Sequence, residues 1–311
     1  MTPTANTPLK IGTRGSPLAL AQAYETRRRL MQAHSLAENA FEIVVIKTSG
    51  DKILDKPLKE VGGKGLFTKE IEEQMLAGDI HIAVHSMKDM PVEQPNGLIL
   101  DTFLPREDVR DAFVSANYKS LAALPAGAVV GTSSLRRRAQ LQNKRPDLNV
   151  VEFRGNVQTR LKKLNDNVAD CTFLAMAGLN RLDMSHVANS AIEVDEILPA
   201  VAQGAIGIER REDDASMAKM LAPLNHADTT NRLLAERAFL RTLDGSCETP
   251  IAALALLEGD QLWLRGEVLR PDGSETLTGE RRGTVTDGVE MGADLANEIL
   301  SKADDDFFSW R

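Results

Sequence analysis

Residues 128–156 read AVVGTSSLRRRAQLQNKRPDLNVVEFRGN. Val129 to Gly131 is a short apolar run that predicts a strand, and Thr132-Ser133-Ser134 supplies the hydroxyls with which a helix start is capped. The next apolar run, Val150 to Phe153, stops at Arg154-Gly155-Asn156 in the same way. A third, Cys171 to Leu174, leads into AMAGLNRL. Strand, capped helix and strand in succession is the pattern of a largely parallel sheet with crossover helices. In such sheets the carboxyl ends of the strands and the helix starts beyond them line the binding crevice, so three consecutive loops are expected to face one site.

The same alternation precedes this stretch. Leu9 to Gly12 predicts a strand, and Ser16-Pro17 predicts a helix start, with serine as cap and proline preset for the first helical position; that helix should run to about Gln32. Phe41 to Lys47 predicts a second strand. Gly62-Gly63-Lys64-Gly65 leads into a helix from about Thr68 to Leu76, and Ile80 to His85 returns as a strand. Near Arg106 the composition changes, and REDVRDAFVS supplies a strand at Ala112 to Ser115, so a crossing between domains is placed there. Leu198 to Arg210, with Pro199, Gln203, Gly204 and Gly207 around an apolar strand, crosses back and makes the first domain discontinuous. A helix from about Thr229 to Thr242 is followed by strands near Ile251 to Leu257, Gln261 to Leu269 and Ser274 to Gly283 and by a last helix. The expected division is 1–104 with 204–224, then 105–203, then a small α+β domain over 225–311.

The length of 311 residues allows two or three such domains, and 42% hydrophobic with 26% charged residues is ordinary globular composition. No run of about 18 apolar residues occurs, so a membrane anchor is not expected. MTPTANTPLK lacks the basic start and apolar stretch of an export signal, and a cytoplasmic location is expected. Cys171 and Cys247 are too few for a disulfide framework and neither carries a CxxC signal. His81 and His85 fall in IHIAVHS, which reads as a strand, so no metal site is expected. A net charge of −8 argues against a nucleic-acid surface. Yet Arg136, Arg137, Arg138, Lys144, Arg145, Arg154, Arg160, Lys162 and Lys163 make one stretch locally basic, which suits focused recognition of a small anion.

Five clusters carry candidate chemistry. Ile11 to Pro17 brings amides and the Arg14 guanidinium to one helix start beside Ser16, suiting a carboxylate, or is a tight turn with a solvated arginine. The glycine-flanked Lys64 marks a loop that closes over substrate, or a plain turn. In His85-Ser86-Met87-Lys88-Asp89-Met90-Pro91 a carboxylate stands beside an ammonium after a buried strand. Asp89 is the best candidate for catalysis there, against the alternatives of a surface pair or a turn cap. Arg136, Arg137, Arg154, Arg160 and Arg181 all lie at or just beyond expected strand-to-helix junctions; guanidinium holds a carboxylate by two points where lysine cannot, and the alternative for any one of them, a solvated helix face, is weakened by five equivalent positions. Cys247, in LDGSCETP between a helix and a strand, is a nucleophile or a small packing residue.

Taken together, TRGSPLALAQA, KTSGDKILDKPLKEVGGKGLFTKEIE, DIHIAVHSMKDMPVE, REDVRDAFVS, GTSSLRRRAQL, FRGNVQTRLKKL, AMAGLNRL and GSCETPIAA strongly resemble the porphobilinogen deaminase, or hydroxymethylbilane synthase, family over nearly the whole chain. The resemblance implies two α/β domains of periplasmic-binding-protein-like architecture flanking a cleft, plus the small third domain. It implies a monomeric transferase that joins four porphobilinogens head to tail, releasing ammonia each time, with no metal or nucleotide; from charge and hydropathy, no nucleic-acid or membrane partner is expected either. It further implies a dipyrromethane cofactor, built from substrate and attached through a thioether at the position of Cys247. Asp89 matches the catalytic aspartate. Lys88, Arg136, Arg137, Ser134, Thr132 and Ser86 match cofactor-binding positions, and Arg14, Ser16, Arg154, Arg160, Arg181, Gln203 and Lys64 match substrate-binding ones. Two departures stand out: Ser246 and Ala202 replace glycines common in the family. Other classes are disfavoured: a solute-binding module would need neither Asp89 nor Cys247, and a phosphate-handling enzyme lacks its GxxxxGK[ST] string.

Overall fold

The computed structural model describes residues 2–52, 65–246 and 249–310. Two compact units divide them. One joins the residues up to Glu107 with Ala205–Thr230, and the other joins Asp108–Gly204 with the residues from Asn231 onward.

In the first unit, β1 (Leu9–Arg14), β2 (Phe41–Ile46), β3 (Ile82–Ser86), β4 (Leu98–Phe103) and β10 (Ile206–Arg211) form a sheet in the order β2-β1-β3-β10-β4. β1 pairs in parallel with β2 and β3, while the returning β10 runs antiparallel to β3 and β4. Helix α1 (Pro17–His34) starts as expected, with the Ser16 hydroxyl accepting from the Ala19 amide, but runs two residues further and ends at Ser35 in the left-handed conformation. Its buried residues Gln22, Ala23, Thr26 and Leu30 recur at helical spacing. Ala23 and Leu30 pack with Leu9, Ile11, Ile82, Val84, Ile206 and Ile208 on one face of the sheet. Ile71 and Met75 of α2 (Lys69–Ala77) pack with Ile46, Ile80 and Ala83 in a second cluster. Burial between the two layers accounts for the apolar Ile82–Val84 run that opens β3.

The second unit repeats this order. β5 (Asp111–Ser115), β6 (Val129–Gly131), β7 (Asn149–Val151), β8 (Cys171–Ala175) and β9 (Ser190–Ala191) stand as β7-β6-β8-β5-β9. β6 is parallel to β7 and β8, and β5 is antiparallel to β8 and β9. Along β5 the side chains alternate: Phe113 joins the cluster of Val130, Cys171 and Phe173, while Ala112 and Val114 join that of Phe153, Leu174 and Leu179. Helices α3 (Leu135–Lys144), α4 (Val157–Asn165) and α5 (Met176–Arg181) follow β6, β7 and β8. β7 ends two residues earlier than its apolar run, because the Phe153 amide donates to the Ser133 hydroxyl at 2.9 Å instead of continuing the ladder. Its ring then fills the space over Gly131, where a Cβ would lie 2.5 Å from it.

Helix α6 (Ala215–Leu221) belongs to the first unit, and α7 (Ala227–Thr242) precedes the last sheet. That sheet is an antiparallel meander of β11 (Ile251–Glu258), β12 (Gln261–Leu269) and β13 (Thr276–Thr284), followed by α8 (Gly288–Lys302). The architecture is thus two mixed, mainly parallel α/β sheets and a small α+β block, the expected fold class. β4, β9 and α6 were not foreseen.

Candidate active site

Because β1 and β3 run in parallel with Ile11 opposite Ile82, the chain leaves both strands at the same edge, at Arg14 and Ser86. The Arg14 guanidinium carbon lies 4.2 Å from the centre of the Phe67 ring. The Ser16 hydroxyl is taken up as the helix cap, 3.2 Å from the Ala19 amide. The Gln22 amide nitrogen donates to the Ser86 hydroxyl at 2.8 Å. Beyond Ser86 the chain makes a single 3₁₀ turn, Met87–Asp89. Met87 and Met90 are buried and the Met87 amide donates to the Ala205 carbonyl at 3.0 Å, so the two apolar residues fix the turn and leave Lys88 and Asp89 half-buried between them. Within the same unit, buried His85 Nε2 lies 3.0 Å from a Glu209 carboxylate oxygen. Burial pushes the nearby Glu72 carboxyl above its ordinary value. His85 is therefore engaged with a carboxylate. Among the described residues no group of three or more His, Cys, Asp and Glu side chains could hold a metal.

In the second unit the carboxyl ends of β6, β7 and β8 share one edge. Ser134 caps α3, accepting from the Arg137 amide, and the Ser134 amide in turn donates to the buried Thr132 hydroxyl at 3.2 Å. This cap places Arg136 and Arg137 in the first turn of α3, where both side chains turn inward: their side chains are 5% and 6% exposed. Their partner is Asp111, which opens β5 opposite Ala175 at the same sheet edge and is fully buried. Arg137 grips it in two-point fashion, Nη2 to Oδ1 at 2.7 Å and Nε to Oδ2 at 3.0 Å, while Arg136 Nη2 donates to Oδ2 at 2.7 Å. Gln203 adds a fourth donor, Nε2 to Oδ1 at 2.8 Å. Burial opposes ionisation of Asp111, but the two guanidinium charges and their hydrogen bonds outweigh it and hold the carboxyl well below the usual range. Each arginine also donates to a carbonyl, Arg136 Nη1 to Leu198 at 2.6 Å and Arg137 Nη1 to Phe173 at 2.8 Å. Arg136 Nε is buried with no acceptor.

Arg154, Arg160 and Arg181 are half-buried at the same edge. Gly155, at φ 123°, turns the chain into α4, which Asn156 caps, and Arg160 Nε donates to the Gly155 carbonyl at 3.0 Å. Arg181 closes α5 and donates from Nη2 to the Gly204 carbonyl at 2.9 Å. Thus Arg136, Arg137 and Gln203 are brought into one cluster, with Arg154, Arg160 and Arg181 on the neighbouring loops. Arg14, Ser86, Lys88 and Asp89 sit at the corresponding edge of the other sheet. Lys64 and Cys247 lie outside the described residues. The flanks of Cys247 are tied to one another, the Ser246 amide donating to Thr249 Oγ1 at 3.0 Å and Thr249 Oγ1 to the Ser246 carbonyl at 2.7 Å. Cys171 is buried on β8 and its thiol is pushed up to about 12, chiefly by burial, so it is no nucleophile. Asp111 is the residue that sequence reasoning missed. An acidic residue at the head of the apolar run DAFVS was the available signal, since a carboxylate there must be paired.

The model of a family described as "Porphobilinogen deaminase, dipyromethane cofactor binding domain" matches residues 9–219, and that of the "Porphobilinogen deaminase, C-terminal domain" matches residues 230–301. The chain belongs to the porphobilinogen deaminase family. The porphobilinogen deaminase of Paracoccus denitrificans is 66% identical over 308 residues, covering 99% of this chain and 98% of its own. The chloroplastic porphobilinogen deaminase of Pisum sativum is 55% identical over 307 residues, covering 97% of this chain and 83% of its own. A periplasmic substrate-binding protein of an ABC transporter from Coxiella burnetii is similar in structure over 71% of this chain and 93% of its own, at 13% identity and a TM-score of 0.42.

The residues present fit the cofactor that gives the first family model its description. A dipyrromethane of porphobilinogen origin carries an acetate and a propionate on each ring and needs cationic donors. The second unit provides two guanidiniums against one carboxylate, and one buried guanidinium nitrogen awaiting an acceptor.

Proposed function

We propose that this chain is a porphobilinogen deaminase that condenses four porphobilinogens head to tail into hydroxymethylbilane, with Asp89 as its catalytic residue and the arginines at the two sheet edges as its carboxylate grips. The family match over nearly the whole chain carries the reaction. The assignment of residues is supported by the set at the two edges, where half-buried Asp89 and Lys88 follow β3 and the arginines follow β6, β7 and β8.

When bound, the dipyrromethane group on Cys247 supplies the free pyrrole α-carbon from which a new chain starts; Arg136, Ser134, Thr132, Lys88 and Ser86 would hold its acids. Arg14, Arg154, Arg160 and Arg181 bind the acetate and propionate of the incoming porphobilinogen and orient its ring. Asp89 accepts a hydrogen bond from the substrate ammonium and, as ammonia departs, stabilises the positive charge developing over the ring. The bond from the methylene carbon to nitrogen is replaced by a bond from that carbon to the free α-carbon at the chain end, which restores the incoming ring; the α-proton of the attacking chain-end ring then passes to the Asp89 carboxylate and leaves with ammonia as ammonium. Lys64 is assigned to a loop over the substrate. Each added unit brings two carboxylates, which the concentrated set of arginines would balance.

No helix among the described residues is long and apolar enough to cross a membrane. A cytoplasmic location and a monomeric state belong to the same proposal. Sparse cysteine usage supports the location, and size-exclusion chromatography checks the monomeric state. The function itself is tested by giving the purified protein porphobilinogen alone and following ammonia and the linear tetrapyrrole together. One ammonia per porphobilinogen consumed, with hydroxymethylbilane as product, is expected. Binding of porphobilinogen without ammonia release would refute it.

A further inference from the structure

Asp111 stands at the centre of the basic cluster, yet it has no capacity left for a ligand. A carboxylate offers about four acceptor positions. All are filled from inside the chain, by Arg136 Nη2, Arg137 Nε, Arg137 Nη2 and Gln203 Nε2. It is also fully buried. Such a group can neither move a proton nor meet substrate. What it does is hold three side chains that come from distant parts of the chain. Arg136 and Arg137 lie 25 and 26 residues away from it, and Gln203 lies 92 residues away.

Two further observations define what that hold produces. With each nitrogen of Arg137 engaged by Asp111 or the Phe173 carbonyl, the one guanidinium nitrogen of the pair left with no acceptor is Arg136 Nε. The cluster also keeps one net positive charge, two cations against one anion, in a site shielded from water. Glu267 of β12, the other carboxylate acting on Arg136, is pushed up by its own burial and so is a weak counter-charge. A guanidinium pair fixed in this way, with one excess positive charge, favours a single carboxylate beside it. Two freely rotating guanidiniums would be a looser and more strongly charged site.

We propose that Asp111 is a positioning residue for acid-group binding: it locks Arg136, Arg137 and Gln203 so that the Arg136 guanidinium and one unit of positive charge are held in place for a carboxylate of the cofactor or of the growing chain. This rests on the proposed function, and the tests separate the two. Wild-type protein that fails to consume porphobilinogen overturns the functional reading itself.

With wild-type turnover established, Asp111→Asn and Asp111→Glu are purified and assayed for KM, kcat and, by intact mass, for the rings carried on Cys247 after the cofactor-free protein is exposed to porphobilinogen. Asp111→Asn should raise KM by about tenfold or more, the effect of losing one charge-assisted hydrogen bond to ligand. Its kcat should change far less, and its ring occupancy should be incomplete. Asp111→Glu, which retains the charge, should recover much of both. A lowered melting temperature with full ring occupancy and unchanged KM would mean a purely structural pair, and a loss confined to kcat would equally overturn the proposal. If Asp111→Asn does not fold, Gln203→Met, which leaves both ion pairs in place, decides: a severalfold rise in KM supports the proposal and an unchanged KM with full occupancy ends it.

Discussion

The backbone amide of Ala202 donates to Glu236 Oε2 at 2.7 Å while Ala202 itself is held at φ 60°. The other oxygen of this fully buried carboxylate accepts from the Ala255 amide at 2.8 Å, so Glu236 on α7 ties the segment before β10 to strand β11. An L-residue in the left-handed region costs about 1–2 kcal/mol, a cost that glycine does not carry. Ala202→Gly removes that strain and keeps the hydrogen bond, against about 0.4–1 kcal/mol of added unfolded-state entropy. The urea unfolding midpoint of the second unit should rise or hold, by a net gain of up to about 1 kcal/mol. A clear fall would show that the alanine methyl packs usefully in the left-handed conformation.

Asp111 makes stability acid-sensitive in a definite direction. Its folded carboxyl is held below the ordinary value of 3.8, burial being outweighed by Arg136 and Arg137. The stabilisation is therefore complete above that ordinary value and is lost as pH falls below it towards the depressed folded value. Asp111→Asn leaves two buried cations without their anion and should be less stable at neutral pH by about 3–5 kcal/mol. The gap between wild type and variant, read from urea midpoints, should stay constant down to about pH 4 and narrow below it. A gap that widens in acid would contradict the ion pair.

Asp89 lies half-buried on a turn that is anchored by Met87 and Met90 rather than by its own carboxylate. Asp89→Ala should therefore lower turnover by at least about 10²–10³-fold, the loss seen when a charge stabilising a transition state is removed. The circular dichroism spectrum should be unchanged, and stability should shift by no more than about 0.5 kcal/mol. Normal turnover in this variant would strip Asp89 of its role.

The two cysteines should behave oppositely towards a thiol reagent at neutral pH. Cys171, pushed up to about 12 by burial, should be inert in the native protein and react only on unfolding. Cys247 should react in native cofactor-free protein and be blocked, folded or unfolded, in protein that has assembled its cofactor. Labelling of native Cys171 at the rate of an exposed thiol would contradict its placement on β8.

Local signals were the legible ones. Ser16, Ser134 and Asn156 cap helices in the structure because a cap needs only the next three residues, and the strands before them are short apolar runs. Partnerships across the chain were not legible. Nothing near Asp111 announces Arg136, Arg137 or Gln203, so the structural part that the two arginines play beside any ligand-binding one could not be read from the sequence. β10 illustrates the same limit: its apolar run was evident, but its insertion between β3 and β4, antiparallel to both, depends on the chain returning from the other unit. β4 was overlooked because its middle residues are only partly buried or exposed, which blurs the apolar pattern.

Peptide-resolved mass spectrometry of the intact protein, before and just after a short pulse of porphobilinogen, bears most directly on whether a pyrrole chain grows on Cys247 under the hold of these arginines. The resting protein should carry two porphobilinogen-derived rings on the peptide containing Cys247, and the pulse should add further single-ring increments to that peptide. Full catalytic activity in protein whose Cys247 is an unmodified thiol would contradict it.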